Sequence, residues 1–238
     1  MIFLKDSPDM EIIENNLAAI RKLISDYEAK YGRHPGSVHL LAASKSQSIE
    51  KITAAYHAGQ RRFGENYLQE ALSKMPALAD KQIEWHFIGP VQSNKTRKIA
   101  ENFSWVHGVD NMKIARRLND QRPDQLPRLN ICIEVNVSDE ASKSGVRTDE
   151  VLPLAAYCMT LPRLQLRGLM TIPHEHENFS DQRKEFHKLY TLWHALNGKG
   201  ILLDTLSMGM SGDFEAAIAE GSTMVRIGTA IFGKRGSI

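Results

Sequence analysis

The feature of this chain that most constrains its fold is a repeated alternation of short apolar segments with longer amphipathic ones. The apolar segments have the length and composition of strands, and helical periodicity fills the intervals between them. The predicted strands cover residues 38–44, 61–65, 83–89, 104–109, 129–137, 164–172, 202–208 and 223–232. The predicted helices cover residues 9–30, 48–58, 67–79, 94–102, 111–121, 148–160, 180–196 and 212–220. Regular alternation of this kind predicts parallel strands joined by helices.

Eight strands in this order favour a single (β/α)8 TIM barrel with an extra N-terminal helix, extending over residues 1–238 as one domain. The chain length is close to the roughly 250 residues usual for this architecture. The extra helix is the segment at residues 9–30, which precedes the first strand and is expected to cover the barrel wall. A doubly wound open sheet is the alternative, but it often carries a glycine-rich first turn. Residues 44–47 read Ser-Lys-Ser-Gln, without a glycine.

The charge and composition of the chain argue against several kinds of partner. Its net charge is only +2, and Lys and Arg are spread through the predicted helices, so no large basic face for nucleic acid is expected. No apolar run approaches the roughly 20 residues that span a bilayer, and the N-terminus does not resemble a signal peptide. Cys132 and Cys158 have neither metal-ligand spacing nor a disulfide framework. We therefore expect a soluble cytoplasmic protein that binds neither nucleic acid nor membrane.

Polar residues interrupt the apolar segments at the carboxyl ends of the predicted strands, which is where barrels carry their sites. Lys45 directly follows the first strand, and Asn66 follows the second. A single lysine at such a position more often extends its charge to water than takes part in chemistry. Lys45 indicates a functional site only in combination with a second feature of the sequence.

That second feature is a pair of segments suited to phosphate. Residues 207–212 (Ser-Met-Gly-Met-Ser-Gly) join the seventh strand to a helix, so glycines permit a tight turn while hydroxyl and amide groups face an anion. Residues 226–229 (Arg-Ile-Gly-Thr) offer similar groups one strand later. The loops after strands seven and eight are the habitual phosphate site of barrels, although both could be ordinary turns with capping serines. An amine at the barrel mouth beside such a cradle suits pyridoxal 5′-phosphate (PLP).

Other chemical motifs are absent or incomplete. The chain has no Gly-x-Gly-x-x-Gly and no Gly-x-x-x-x-Gly-Lys-Ser/Thr, so a nucleotide loop is unsupported. Residues 209–211 begin like a hydrolase nucleophile elbow, but Asp213 stands where the closing glycine is required. Residues 174–176 (His-Glu-His) lack the spacing of a zinc site, so no metal is predicted. The basic residues within 94–102 are interpreted as a solvated helix face.

Five motifs together resemble one known family. They lie at residues 63–67 (Phe-Gly-Glu-Asn-Tyr), 85–95 (Trp-His-Phe-Ile-Gly-Pro-Val-Gln-Ser-Asn-Lys), 138–145 (Ser-Asp-Glu-Ala-Ser-Lys-Ser-Gly), 207–211 and 226–229. By this pattern the chain is identified as a member of the pyridoxal phosphate homeostasis protein family, which is related in fold to the N-terminal barrel of alanine racemase. The resemblance extends from about residue 9 to residue 233.

The resemblance implies that PLP is the cofactor, and it implies which residues bind it. Lys45 would hold PLP as an internal aldimine, Arg226 would face the pyridine nitrogen, and Asn66 would lie beside the ring. The residues implied at the phosphate, by side chain or backbone, are Ser207, Gly209, Ser211, Gly228 and Thr229.

Two further positions bear on the family pattern. Lys143 matches a family lysine that can compete for the cofactor. Many members carry a second lysine two positions after the first, and this chain has Gln47 there. A transfer of cofactor between neighbouring amines is therefore not expected to operate in the usual way.

The resemblance implies a protein of intracellular PLP homeostasis with little or no catalysis of its own. Arg226, a permanent cation, should leave the ring nitrogen unprotonated and the ring a weaker electron sink. Alanine racemase takes a second base from a partner chain and a further domain, whereas this chain ends shortly after the barrel. A PLP-dependent amino-acid racemase or lyase is the alternative, and a phosphosugar-type isomerase with Lys45 as base is a third. We expect a monomer whose partners are PLP and, on this interpretation, PLP-dependent apoenzymes.

Overall fold

Within residues 8–138 and 143–233, which are the residues that this computed structural model describes, eight parallel strands close into a barrel. The strands follow one another around the barrel in chain order, and the eighth pairs with the first. They are β1 His39–Ala43, β2 Arg62–Glu65, β3 Glu84–Phe87, β4 Trp105–Val109, β5 Leu129–Glu134, β6 Leu164–Met170, β7 Thr205–Ser207 and β8 Met224–Ile227. The predicted (β/α)8 fold is confirmed.

Helices connect the strands on the outside of the barrel, as the alternating pattern predicts. They are α1 Pro8–Lys30, α2 Ile49–His57, α3 Leu68–Lys74, α4 Thr96–Asn102, α5 Met112–Gln121, α6 Val151–Met159, α7 Phe179–Gly198, α8 Phe214–Ala219 and α9 Thr229–Phe232. Two short 3-10 segments, Met75–Leu78 and Thr148–Glu150, follow α3 and precede α6. In the described part of the chain, no helix is both long enough and apolar enough to cross a bilayer.

Asparagine side chains fix the start of two of these helices. Asn111 Oδ1 accepts a hydrogen bond from the Ile114 amide at 2.8 Å, and Asn178 Oδ1 accepts one from the Asp181 amide at 2.9 Å. Each bond satisfies one of the amides that a helix leaves unpaired in its first turn. The predicted starts of α5 and α7 therefore agree with the structure to within one residue.

The core lies on both sides of the barrel wall. All five residues of β4 are buried, as expected for parallel strands that are covered by helices outside and filled by side chains inside. The extra N-terminal helix α1 contributes Ile13, Leu17, Ile20 and Ile24 to this core, and it contacts α2, α8 and α9. Each such side chain stabilises the fold by about 1.5–3 kcal/mol through burial. The helix thus holds together the elements on either side of the barrel closure.

Each strand is shorter than its predicted segment, and β8 and β5 show two ways in which this happens. The predicted strand at 223–232 ends at Ile227, and the apolar residues after it form α9. These residues lie beyond the barrel mouth and pack against α1, where Asn16 Nδ2 donates to the Ile231 carbonyl at 2.9 Å. The predicted strand at 129–137 ends at Glu134, and Val135 adds only an isolated bridge. An apolar run indicates only that its residues are buried. A helix that packs on the outside of the barrel buries such residues as well as a strand does.

The pairing of β6 with β7 leaves no room for a side chain at Gly168. A Cβ added there would lie 1.7 Å from the Thr205 carbonyl oxygen. We expect Gly168→Ala to lower the free energy of unfolding by at least about 1–3 kcal/mol, as overpacking does. Denaturant titration measures this change. The control is Gly198→Ala at the end of α7, where nothing lies within 4 Å of an added Cβ and the change should stay below about 1 kcal/mol. Equal losses in both variants would contradict the packing argument.

Candidate cofactor site

A cavity of about 240 Å³ opens at the mouth of the barrel, beyond the carboxyl ends of the strands. Its wall combines apolar side chains with two cationic groups and several hydroxyl and amide groups. The lining residues are Ala43, Lys45, Gln47, Asn66, Ile88, Ile172, Met210, Ser211, Gly212, Arg226, Gly228, Thr229 and Gly233. The location agrees with the rule that barrel sites lie at this face.

Most residues that the sequence predicts for the site lie on this cavity. Lys45, Asn66, Ser211, Arg226, Gly228 and Thr229 are all part of its wall. Lys45 is half-buried and begins the turn that follows β1. These positions come from β1, β2, β7 and β8 and the loops after them, and closure of the barrel brings them together.

Three predicted residues are placed elsewhere. Ser207 is fully buried below the cavity wall, and its hydroxyl lies between His107 and Arg226. Gly209 has a φ of 97°, and a Cβ there would lie 2.6 Å from the Ala217 Cβ, so glycine shapes the turn without lining the cavity. Lys143 is not among the lining residues. Residues 139–142 of the predicted fifth-loop motif lie outside the described residues.

A buried arginine places a positive charge in the wall of the cavity. The Arg226 guanidinium donates through Nη1 to Ser207 Oγ at 2.8 Å and through Nη2 to the Thr171 carbonyl at 2.8 Å. Burial lowers the pKa of Arg226 to about 10, while the carboxylates of Asp213 and Glu134 oppose that shift. The side chain is therefore still a cation at neutral pH.

A chain of hydrogen bonds runs from Arg226 through the barrel interior to the opposite mouth. After Ser207, the chain continues from its hydroxyl to His107 Nδ1 at 2.8 Å. His107 Nε2 lies 2.9 Å from His86 Nδ1, and His86 Nε2 lies 2.8 Å from Glu84 Oε1. We call these five residues the relay.

The charge on Glu84 assigns a direction to every bond of the relay. The hydrogen bond from His86 lowers the pKa of Glu84, so its carboxylate is ionised and accepts from His86 Nε2–H. A neutral His86 must then accept at Nδ1 from His107 Nε2–H, and His107 Nδ1 must accept from the Ser207 hydroxyl. Each hydrogen bond of the relay is therefore donated in the direction that leads from Arg226 to Glu84.

Both histidines of the relay are held neutral by their surroundings. Burial lowers the pKa of His86, although Glu84 opposes that shift. Burial, followed by His86 and Arg226, holds the pKa of His107 well below its usual value. A proton on either ring would place an additional charge in the low-dielectric interior of the barrel.

Sequence reasoning missed the two histidines and the apolar part of the cavity wall. His86 is part of the motif at residues 85–95, but neither histidine was assigned a role, because both lie inside strands whose sequence shows only that they are buried. The available signal was a histidine in the middle of each of two neighbouring apolar segments. Such a residue is buried and requires partners, but the sequence does not show which partners it has.

The side chains of the cavity fit PLP by their chemistry. Lys45 supplies an amine, Ser211 and Thr229 supply hydroxyl donors, and Arg226 supplies a positive charge. Asn66 Oδ1 is buried and has no hydrogen-bond partner in the described part of the chain. A ligand with a donor group near Asn66 would satisfy this acceptor. Within the same described ranges, no group of three His, Cys, Asp or Glu side chains could hold a metal ion.

Comparison with known proteins assigns the barrel to a class. The family model described as "Alanine racemase, N-terminal domain" matches residues 9–236. The chain is 55% identical over 230 residues to the pyridoxal phosphate homeostasis protein of Vibrio alginolyticus, and the alignment covers 95% of this chain and 99% of that protein. It is 50% identical over 229 residues to the protein of the same name from Escherichia coli K12, with 95% and 98% covered.

A solved structure supports the same assignment. PipY of Synechococcus elongatus PCC7942, solved with PLP bound, is 35% identical and has a TM-score of 0.79, with 93% of this chain and 100% of PipY covered. The fold and the cavity thus define a barrel of the alanine racemase N-terminal class. Within that class, the chain belongs to the pyridoxal phosphate homeostasis protein family, which confirms the resemblance of its motifs.

Because the histidines of the relay are held neutral, we can predict how the free energy of unfolding changes with pH. Below about pH 6.5 the unfolded chain binds protons at histidine that the folded barrel does not, so stability is lost as the pH falls. One such histidine steepens this loss by up to about 1.4 kcal/mol per pH unit. His107→Gln keeps one donor and one acceptor but does not titrate. We expect its free energy of unfolding to fall less steeply between pH 6.5 and about pH 5.5.

Urea titrations at several pH values measure these slopes. His34→Gln is the matched control because His34 is exposed, and it should leave the slope of the unsubstituted chain unchanged. Identical slopes for the unsubstituted chain and His107→Gln would mean that His107 is not held neutral.

Proposed function

We propose that this chain holds PLP in the barrel-mouth cavity through a covalent link to Lys45 and serves intracellular PLP homeostasis. The observation that carries the proposal is one cavity that contains the Lys45 amine, the Ser211 and Thr229 hydroxyls and the Arg226 cation. The curated relatives named pyridoxal phosphate homeostasis protein and the PLP-bound structure of PipY support it.

The loops after β7 and β8 would hold the phosphate. Ser211 and Thr229 offer hydroxyl donors from the two loops, which lie on the same cavity. Gly228 lets the β8 loop approach β1 closely, because a Cβ there would lie 3.1 Å from the Ala43 carbonyl oxygen. Gly209 and Ser207 support this wall from below: the Gly209 carbonyl accepts the Arg226 amide at 2.9 Å.

Lys45 would then react as a neutral amine. Its nitrogen bonds to the aldehyde carbon, and the aldehyde oxygen leaves as water with the two hydrogens of the amine. Arg226 lies on the same cavity wall, and a positive charge beside an amine in general favours its neutral, nucleophilic form. Anchoring the phosphate first makes the reaction effectively intramolecular, which raises occupancy.

The remaining wall favours holding the cofactor over using it. When bound, PLP supplies an electron sink, and its strength depends on a proton at the ring nitrogen. Arg226 cannot donate that proton easily, because its guanidinium remains a cation. Among the described residues of the cavity wall, only Lys45 and Arg226 are titratable, so a second acid or base is lacking there. A PLP-dependent racemase or lyase therefore remains the alternative that an assay must exclude.

The proposal also covers the oligomeric state, domain organisation, location and partners of the protein. We infer that the barrel acts as a monomeric, single-domain, cytoplasmic protein over residues 1–238, and that PLP-dependent apoenzymes are its partners. Lys143 would be a secondary PLP site. Support for these statements comes from the composition and from the family resemblance.

The link to Lys45 is tested directly by substitution. We expect Lys45→Ala to lose the visible absorbance band of bound PLP completely, while phosphate-driven affinity weakens but stays measurable. Borohydride reduction followed by peptide mass analysis should place the added mass on Lys45 in the unsubstituted chain. Lys113→Ala, at an exposed position on α5, is the matched control and should keep the band. An unchanged spectrum in Lys45→Ala would contradict the proposal.

The carrier and racemase hypotheses differ in turnover. Because the described part of the cavity wall offers no second acid or base suited to this reaction beside Lys45, we expect the PLP-loaded chain to racemize free amino acids no faster than PLP alone. Chiral chromatography of a panel of amino acids after incubation measures this rate. Racemization that depends on Lys45 and clearly exceeds the rate with free PLP would make the protein an enzyme.

A further inference from the structure

The turn that carries Lys45 is bound on both sides by side chains that do not line the cavity. Before Lys45, the Ser44 carbonyl accepts a hydrogen bond from Lys74 Nζ at 3.0 Å. After Lys45, the Ser46 amide donates to Glu70 Oε1 at 2.6 Å. Lys74 and Glu70 are also paired with each other, one helical turn apart on α3. The two attachments therefore belong to one structure.

A second carboxylate, from β2, completes this structure. Glu65 is fully buried, and its Oε1 accepts from the Ser44 hydroxyl at 2.6 Å and from Lys74 Nζ at 3.1 Å. Lys74 thus directs its ammonium to the Ser44 carbonyl and to two carboxylates, which matches the three donors of a lysine. We call Glu65, Glu70 and Lys74 the clamp.

The clamp holds a backbone conformation that the chain would otherwise avoid. Ser46 has a φ of 61°, and it is the single non-glycine residue in the described ranges with a positive φ. For a residue with a Cβ, this left-handed region is unfavourable and persists only when the surroundings impose it. The bond from the Ser46 amide to Glu70 opposes relaxation. The Gln47 amide, which donates to the Ser44 carbonyl at 3.1 Å, also holds the turn. Relaxation at Ser46 would turn the peptide that joins it to Lys45.

The clamp also gives different roles to two lysines in this region of the fold, Lys74 and Lys45. Lys74 is buried and fully engaged in ionic hydrogen bonds, so its amine is not offered to the cavity. Lys45 is half-buried on the cavity wall. Ion pairing of Lys74 thus leaves Lys45 as the lysine that faces an aldehyde.

We propose that Lys74, Glu65 and Glu70 are positioning residues for Lys45: they fix the turn at 44–47 so that the Lys45 amine meets the aldehyde in reactive geometry. This inference rests on the proposed PLP-binding function and adds residues outside the cavity to it. Misplacement of a reacting group by about 1 Å can slow a reaction about a hundredfold. The clamp should therefore control covalent capture more than phosphate binding.

The first test uses the ligand-free chain, so it does not depend on PLP. Glu70→Ala removes the acceptor of the Ser46 amide at a partly exposed helical position that tolerates alanine. Amide hydrogen exchange followed by NMR should show faster exchange at Ser46, with the barrel strands still protected. Unchanged exchange at Ser46 would overturn the clamp regardless of what the cavity binds.

The second test separates covalent capture from cofactor binding. In Glu70→Ala we expect the visible band of the PLP complex to form about ten- to a hundredfold more slowly. Affinity for pyridoxine 5′-phosphate, which has an alcohol in place of the aldehyde, should be unchanged. Glu70→Gln keeps an acceptor for the Ser46 amide and should slow the formation of the band less than Glu70→Ala does. Ser46→Gly in the Glu70→Ala background removes the penalty of a positive φ and should recover part of the rate.

Each remaining outcome decides between the hypotheses. A native rate of band formation in both Glu70→Ala and Lys74→Met would overturn the positioning role. Equal losses of PLP capture and pyridoxine 5′-phosphate affinity would also overturn it, because the clamp would then act on the whole cavity. If the unsubstituted chain forms no band at all, the proposed function fails, and the Ser46 exchange measurement still tests the clamp.

Discussion

The pairing of β1 with β8 is the contact on which the site depends. Leu41 pairs with Arg226 and Ala42 with Ile227, so residues from opposite ends of the barrel become neighbours. Lys45 and Gly228 follow these pairs within a few residues and line one cavity. The entropic cost of closing so long a loop grows only logarithmically with its length, and burial of the strands offsets it. A cavity assembled in this way exists only in the folded barrel.

Two different arrangements hold the charges around this cavity. Arg226 keeps its charge in the interior, because hydrogen bonds to Ser207 and Thr171 replace water and the relay leads to an ionised Glu84 at the other mouth. The histidines between them stay neutral, so the relay connects Arg226 and Glu84 by hydrogen bonds without a further charge. Lys74, by contrast, is neutralised locally by carboxylates. Arg226 therefore contributes a positive charge to the cavity, whereas the ammonium group of Lys74 is paired with carboxylates and does not face the cavity.

The strand and helix order, the closed barrel and the placement of six of the eight predicted site residues on one cavity could be predicted, because they depend on local pattern and on the known position of barrel sites. What the sequence could not show is which buried polar groups meet. Ser207 lies in the predicted segment, yet its hydroxyl serves the relay, because His107 comes from a strand that only closure brings near. The apolar end of the segment at 223–232 could not distinguish α9 from a longer strand, since both bury the same residues.

Gln47 shows why the clamp and the cavity have to be considered together. Its position lies on the cavity wall two residues after Lys45, where many members of the family carry a second lysine. A lysine there would offer a second amine to the same aldehyde, and the adduct could move between the two. Glutamine keeps hydrogen-bonding capacity but forms no such adduct. Lys74 is engaged by carboxylates, and Lys45 is the lysine on the described part of the cavity wall, so the proposed covalent capture would depend on Lys45. On the proposed function, the geometry of one turn, held by Glu65, Glu70 and Lys74, would then set the rate of cofactor capture.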